Sequence, residues 1–429
     1  MTKRFFAAAL LLFSSTIAGE GQEYEFDVGE FTKKAFTLDG YLEARPSFSL
    51  LNPDSPYFKL ASYDQAARRS LLEGYAAVLA DLSYRQGVFE AFLEPYVDGA
   101  LSAFESTAGG RLFQGYLALK PSPSLTVYAG KRALRWGKGY AWSPTALAER
   151  PKDPNEPDLA REGYWMLTAD FTKSFSGALK TLSITPVIIP VYGAMNGSFG
   201  GTEGLNFAGK VYLLLLDTDI DLVFAAGKSR PPRLGLDLSR NLRSNWEVHG
   251  EIAVFWDFVR RVVDADSQIR SESFDAASAL VGLRYLSRAE TTYILEFHHN
   301  GTGFTRPEMD SFYAFVDDGY DRYLSLGDDS QLIQAAELGS YGGFTPMTDY
   351  AFLRVTQKDP FGALYWTPAA TVLVNLADGS ASWAPELSYA GVTNLELRLK
   401  ASLLTGKGGE EFREKRNRFR LELRARDFF

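Results

Sequence analysis

Arg418-Phe419-Arg420-Leu421-Glu422-Leu423-Arg424-Ala425-Arg426-Asp427-Phe428-Phe429 splits into two interleaved series. Phe419, Leu421, Leu423 and Ala425 are apolar, whereas Arg418, Arg420, Glu422, Arg424 and Arg426 are charged. A strict period of two is the side-chain geometry of a β-strand, whose successive Cβ atoms point to opposite faces. One face of this strand asks for hydrocarbon and the other for water.

Working back from this stretch, the same alternation recurs from about residue 35 onward. Phe89, Ala91, Leu93 and Val97 interleave with Glu90, Glu94, Tyr96 and Asp98. Val248, Gly250, Ile252, Val254 and Trp256 interleave with Glu247, His249 and Glu251; Leu395, Leu397 and Leu399 interleave with Glu396, Arg398 and Lys400. Strand and turn signals give about 18 such segments, an even number. Short connections (85–87, 121–124, 217–219, 358–362, 391–394) fall on one side. Long ones (50–69, 136–162, 191–204, 260–272, 299–347, 405–416) fall on the other. Aromatic residues make up 14% of the chain while mean hydropathy is only −0.15, as expected when strands are apolar on alternate positions and carry aromatic girdles. The fold class read from this is all-β: a transmembrane, antiparallel, up-and-down barrel of about 18 strands. A soluble propeller or sandwich also alternates, but no blade-length repeat occurs.

At the other end, Lys3 and Arg4 precede an apolar run from Phe5 to Phe13 and small residues to Ala18. This pattern predicts a signal peptide over 1–18, an N-terminal periplasmic segment over 19–34 and a barrel over 35–429. Cysteine is absent, which excludes disulfides, thiolate metal sites and covalently attached haem. The net charge of −8 gives no sign of a nucleic-acid partner. Three histidines are present, and neighbours His298 and His299 point to opposite faces of a strand, so they cannot jointly hold one ion. No metal, cofactor or catalytic residue is expected, and no nucleophile elbow marks a hydrolase, which stays a minor alternative.

The densest motif is Lys131-Arg132-Ala133-Leu134-Arg135-Trp136-Gly137-Lys138-Gly139-Tyr140, followed by Ser143-Pro144 and the proline-charged run 150–157. It resembles the Arg-x-x-Arg-Trp-Gly-x-Gly-Tyr block of porin-like outer-membrane barrels, and the aromatic-terminated strand is similar to their closing strand. The resemblance implies export through the periplasm to the outer membrane of a Gram-negative bacterium, contact with its lipid, and Phe429 as an insertion signal for the barrel-assembly machinery. Trp136 is expected in an interface belt, and Gly137 and Gly139 at a sharp departure into the loop.

Alternation aims an early acidic sector (Glu73, Asp81, Glu90, Glu94, Asp98) and a late basic one (Arg398, Lys400, Arg418, Arg420, Arg424, Arg426) at the lumen. Selectivity is assigned to Arg132, Arg135, Arg398, Lys400, Arg420 and Arg424 against Glu90, Glu94 and Asp98, because charged walls bias ion passage. Cross-strand pairing of the same groups is the competing reading. In the long loop, Thr305-Arg306-Pro307-Glu308 has capping-box form before Met309, Phe312, Tyr313 and Val316 at helical spacing, a candidate plug or constriction. A second helix start lies at Asp328-Asp329-Ser330-Gln331, with Gly339 as its expected cap. The expected function is passive passage of small hydrophilic, charged solutes. The alternative is a barrel that sheathes or docks a partner protein, and homo-oligomerisation is left open.

Overall fold

Every strand is antiparallel to both neighbours, and the sheet closes because the last strand pairs with the first as well as with its predecessor. The computed structural model describes residues 35–66 and 68–429; the expected signal peptide and the segment 19–34 lie outside the described residues. The 18 strands are β1 (Phe36–Leu51), β2 (Ser70–Gln86), β3 (Phe89–Ser102), β4 (Ser106–Ser122), β5 (Leu125–Arg132) and β6 (Tyr164–Ser174), then β7 (Leu179–Val191), β8 (Gly204–Leu215), β9 (Thr218–Gly227), β10 (Arg233–Arg243), β11 (Trp246–Val263) and β12 (Ile269–Leu286), and finally β13 (Thr291–His299), β14 (Asp349–Gln357), β15 (Trp366–Asn375), β16 (Ala381–Val392), β17 (Leu395–Thr405) and β18 (Asn417–Phe428). Closure satisfies the edge groups that a membrane would otherwise leave without partners.

The alternation read from sequence becomes two surfaces. Leu93, Leu167, Phe224, Ile252, Leu295, Phe297, Leu399 and Leu423 face outward and are exposed over the belt, a distribution only lipid can satisfy. Near the short turns, Trp246, Tyr285 and Tyr293 stack side by side on that outer face, as do Trp366 and Tyr389, forming part of an aromatic girdle. Phe429 extends β18 by exchanging backbone hydrogen bonds of 3.1 Å with Gly40, and a Cβ on Gly40 would stand 2.7 Å from the Phe429 ring.

All long connections lie at one end, with one correction. The stretch 260–272 is mostly strand, because β11 and β12 pair as far as Val263 and Ile269 and leave only 264–268 as a loop. Val262 and Val263, at the tip of this hairpin, are buried against a helical lid, so the pairing continues past the rim.

The lid is α2 (Arg306–Leu326) and α3 (Ser330–Ala336), joined by contacts from α1 (Pro56–Ser62) and α4 (Glu411–Glu414) in the first and last outer loops. Thr305 starts α2, with its backbone N–H donating to Glu308 at 2.7 Å. Met309, Phe312, Tyr313 and Val316 point into the lid's own core with Phe304, Leu332, Tyr341, Tyr350 and Phe412. Phe312 stacks on Tyr341 at 4.1 Å, and Lys59 ties α1 to Asp317 of α2 at 2.7 Å. Gly339 does not cap α3. Glu337 takes that place and Gly339 opens a short 3-10 turn.

The outward face sets a test. Leu295→Arg, mid-strand on β13, should lower stability by about 2–4 kcal/mol in urea titrations of the lipid-reconstituted chain. Thr172→Arg, on the lumen side of β6, should lower it by less than about 1 kcal/mol, since lumen positions keep their water.

Candidate functional site in the lumen

The connection between β5 and β6, residues 133–163, does not stay outside the barrel. It folds inward and is tied to the wall at three sectors. Gly137 makes the entry with φ +84, and a Cβ there would stand 2.9 Å from a Glu251 carboxylate oxygen. Glu251 on β11 then accepts the N–H groups of Lys138 and Gly139, each at 2.6 Å, and that of Thr145 at 3.0 Å. Glu296 on β13 accepts the N–H of Ala141 at 2.8 Å and that of Tyr140. Both carboxylates are buried, and a buried carboxylate persists only when several donors converge on it.

Cross-strand register makes this cluster. Asp221 of β9 is the direct partner of Asp237 on β10, which is the direct partner of Glu251 on β11, giving three buried carboxylates in one row. Lys138 inserts its ammonium 2.9 Å from Asp221 and 3.8 Å from Asp237. Burial works against the Lys138 charge, but the hydrogen bond and charge of Asp221 outweigh it and hold the group above the usual lysine range. The Thr145 hydroxyl lies 3.0 Å from Asp237 and 2.8 Å from Glu251. His249, also on β11, reaches Glu296 at 2.9 Å by lying across Gly282 of β12, where any Cβ would collide with the ring.

Apolar packing reinforces the same course. Leu134, Trp136, Leu147 and Ala148 of the loop pack on the inward faces of Val187, Ile189, Ala208, Val223 and Ala253. Trp136 is therefore buried inside the barrel and is not part of the interface belt expected of it. Trp142 stacks on His298 at 5.0 Å and donates its indole N–H to Thr345 at 3.0 Å, joining the loop to the lid. Within the loop, Glu149 accepts the Trp136 N–H and pairs with Arg161 at 3.1 Å. Burial pushes the Glu149 carboxyl up to about 7, against the opposing pull of the Trp136 N–H and Arg161. The third tie lies further round the wall, on β17. Glu156 receives both terminal nitrogens of Arg398, at 2.7 and 2.8 Å, and the Lys400 ammonium at 2.8 Å. Burial alone would raise the Glu156 carboxyl, but Lys400 and Arg398 bring it down to about 2.

The crossing loop separates an outer vestibule from lumenal space beneath. The vestibule, about 640 Å³, is bounded by loop residues 142–152, the lid segment 340–346 and the walls of β10 to β13. Arg150, Lys152, Arg161, Arg230, Arg233 and Arg260 line it, with Glu149 as the acidic lining residue. Arg260 is neutralised by Glu308, and Arg161 by Glu149. Arg230 donates to the Leu147 carbonyl at 3.1 Å and stacks on Phe199; Arg233 faces Phe255. Neither of these two has a carboxylate partner among the described residues. Below the loop, about 570 Å³ is lined by Arg132, Arg135, Lys138, Asp170, Lys210 and Tyr212.

Structures with this architecture are known. No protein-family model and no curated protein matches the sequence. OccK2 (OpdF) of Pseudomonas aeruginosa, solved in complex with glucuronate, superposes with a TM-score of 0.52 at 14% identity, covering 92% of this chain and 98% of its own. OccAB1 of Acinetobacter baumannii gives 0.55 at 9% identity, covering 91% and 96%, and the outer membrane protein OprD of Pseudomonas aeruginosa gives 0.52 at 10%, covering 92% and 94%. The chain has the closed barrel fold of the OprD and Occ porins. At these identities the likeness is one of fold.

The residues singled out from sequence are distributed differently. Arg132 sits in the lower cavity, 3.1 Å from Asp170 and stacked on Tyr128, and Arg135 is exposed to the same cavity. Arg398, Lys400 and Arg424 are buried, the first two beneath Glu156 and Arg424 beside Glu396 at 2.8 Å. Arg420 pairs with Glu73 at 3.2 Å. On the early sector Glu90 pairs with Arg85 at 3.1 Å, Asp98 with Arg111 at 3.1 Å, and Glu94 with the Gln114 amide. These carboxylates and the late cations do not oppose one another across a pore; the early carboxylates pair with neighbouring strands, whereas Arg398 and Lys400 pair with the loop. Met309, Phe312, Tyr313 and Val316 line none of the cavities above, and the element that narrows the lumen is the loop 133–163. Sequence reading missed Asp221, Asp237, Glu251 and Glu296. Alternation put Glu251 on a polar face, but the lateral alignment of four strands that brings it together with the other three is not a local signal.

Two tests address the loop anchor. Lys138→Met takes the ammonium away from buried Asp237 and leaves Asp221 only Lys210 at 3.7 Å, and should cost about 3 kcal/mol in urea unfolding, the lower end for a broken buried pair. Glu149 has a folded-state pKa of about 7 against an ordinary 4.5, so it takes up a proton on folding between those values. Its contribution is greatest below about pH 4.5 and falls as pH rises through 7. Glu149→Gln should flatten that fall, read as the thermal midpoint between pH 5 and 8.

Proposed function

We propose that this chain is an outer-membrane channel for the passive passage of small hydrophilic solutes, with anions favoured. The observation that carries the reading is the vestibule, where six cationic side chains surround one carboxylate and the adjacent Arg230 and Arg233 have no acidic partner among the described residues. A low-dielectric wall focuses such a field into the cavity and raises the local concentration of anions. The lipid-facing belt supports the membrane location. The similar fold of OccK2, whose structure holds the carboxylated sugar glucuronate, supports passage of a solute of that size.

In this reading a solute enters beside the lid and is held in the vestibule by the unpaired guanidiniums. It then passes the crossing loop into the lower cavity, where Arg135, which has no carboxylate partner among the described residues, continues the positive lining toward the periplasm. No covalent step is involved, and no cofactor is required. A sheath around a partner polypeptide would need a wide bore, whereas the loop 133–163 is tied to the wall from β9 to β17, nearly half the circumference.

The test is single-channel recording in a planar bilayer under a salt gradient. A steady conductance with an anion-selective reversal potential is expected. Arg230→Gln with Arg233→Gln should cut the anion-to-cation permeability ratio by roughly threefold to tenfold, the lower range of focused-field effects. Cation selectivity in the parent chain would overturn the anion preference.

A further inference from the structure

Many charged groups on the lumenal wall are neutralised by other wall residues, as Arg420 is by Glu73 and Glu422, and Arg426 by Glu43. Arg398 and Lys400 differ. Their nearest acidic partner comes from the crossing loop, since the wall carboxylates Glu386 and Glu422 stand 3.8 and 3.6 Å from Arg398, against 2.7 Å for Glu156. The Glu156 carboxylate binds as a free carboxylate would, two oxygens on the Arg398 fork with an ammonium at the side, and Arg424 lies 3.9 Å away. The segment that presents it, Pro154-Asn155-Glu156-Pro157, belongs to no helix or strand. A cavity of about 320 Å³ opens beside the contact, lined by Arg45, Asn155, Glu156, Lys400 and Arg420, so a small molecule can approach the ion pair directly.

We propose that Arg398, Lys400 and Arg424 form a carboxylate-binding site that the chain's own Glu156 occupies. A solute carboxylate displaces Glu156 and releases the segment 150–161 from the wall. The inference rests on the channel reading above and adds to it a solute-sensitive latch. Exchange of one carboxylate for another conserves charge at the site, so the cations keep an acidic partner throughout and no buried charge is stranded. Release leaves the other half of the loop in place, because residues 137–145 are held independently by Glu251 and Glu296. With its carboxyl held at about 2, Glu156 stays ionised under ordinary conditions, and competition, not protonation, is what can open the contact.

The chain has no cysteine, so Asn155→Cys introduces a single thiol beside the latch. Its reaction with a water-soluble, uncharged maleimide is measured on the folded full chain in chloride and in acetate of equal ionic strength. We expect several-fold faster modification in acetate. Adding Glu156→Gln should make modification fast in both salts, and so should Arg398→Gln with Lys400→Gln. Equal rates in chloride and acetate, or a Glu156→Gln background as slow as the parent, would overturn the latch. In bilayers both releases should raise conductance while moving the reversal potential in opposite directions, anionic for Glu156→Gln and cationic for the wall pair. Unchanged conductance and selectivity in Glu156→Gln would also overturn it. If no variant conducts, the channel reading falls, while the thiol rates still decide the latch.

Discussion

Buried carboxylates on the barrel wall capturing the backbone N–H groups of one inward-folded loop are the interaction on which the rest of this lumen depends. A loop packed against the inner wall buries peptide groups away from water, and each would be costly left unpaired. Glu251 and Glu296 meet this by accepting five N–H groups between them from residues 138–145. The donors in turn stabilise the charge on the acceptors. Neither the loop course nor the wall cluster is tenable without the other, which makes the loop a built part of the barrel.

That arrangement asks for glycine at a few positions and explains the motif that contains them. Gly137 lets the backbone approach Glu251 without a Cβ in the way and Gly139 lets it pass the Trp142 carbonyl and Leu280, while Lys138 between them carries its charge on to Asp221 and Asp237. Gly282 performs a similar service on the wall by leaving room for His249 to cross β12 and reach Glu296. The Gly-Lys-Gly element is thus a docking surface for carboxylates of the same chain.

Charge in the lumen is abundant, yet most of it is spoken for. Asp98 with Arg111 knits adjacent strands, Arg420 with Glu73 and Arg354 with Glu386 reach across one intervening strand, and such pairs present little net field to a passing ion. The cations left without a carboxylate partner among the described residues include Arg230, Arg233 and Lys152 in the vestibule and Arg135 beneath the loop. On the proposed channel reading, selectivity follows from these.

The alternation in 418–429 and its counterparts determined the barrel, the orientation of each side chain toward lipid or lumen, and the strand number, because a period of two is local and each face meets a different medium. The order of short and long connections followed from the same boundaries, apart from the β11–β12 hairpin, whose apolar tip extends past the rim to meet the lid. The helix start at Thr305 was legible too, since a capping box spans only a few residues. The path of the loop 133–163 was not. Trp136 looked like a belt residue because the chain alone does not say whether a loop turns outward or in. Glu90, Glu94 and Asp98 looked like a pore wall because their neighbours Arg85, Gln114 and Arg111 are assigned by lateral register between strands, which alternation along one strand does not reveal. The sequence by itself determined which residues face inward. Only the tertiary structure decided which of those inward charges neutralise one another, which hold the loop, and which stay free to meet a solute.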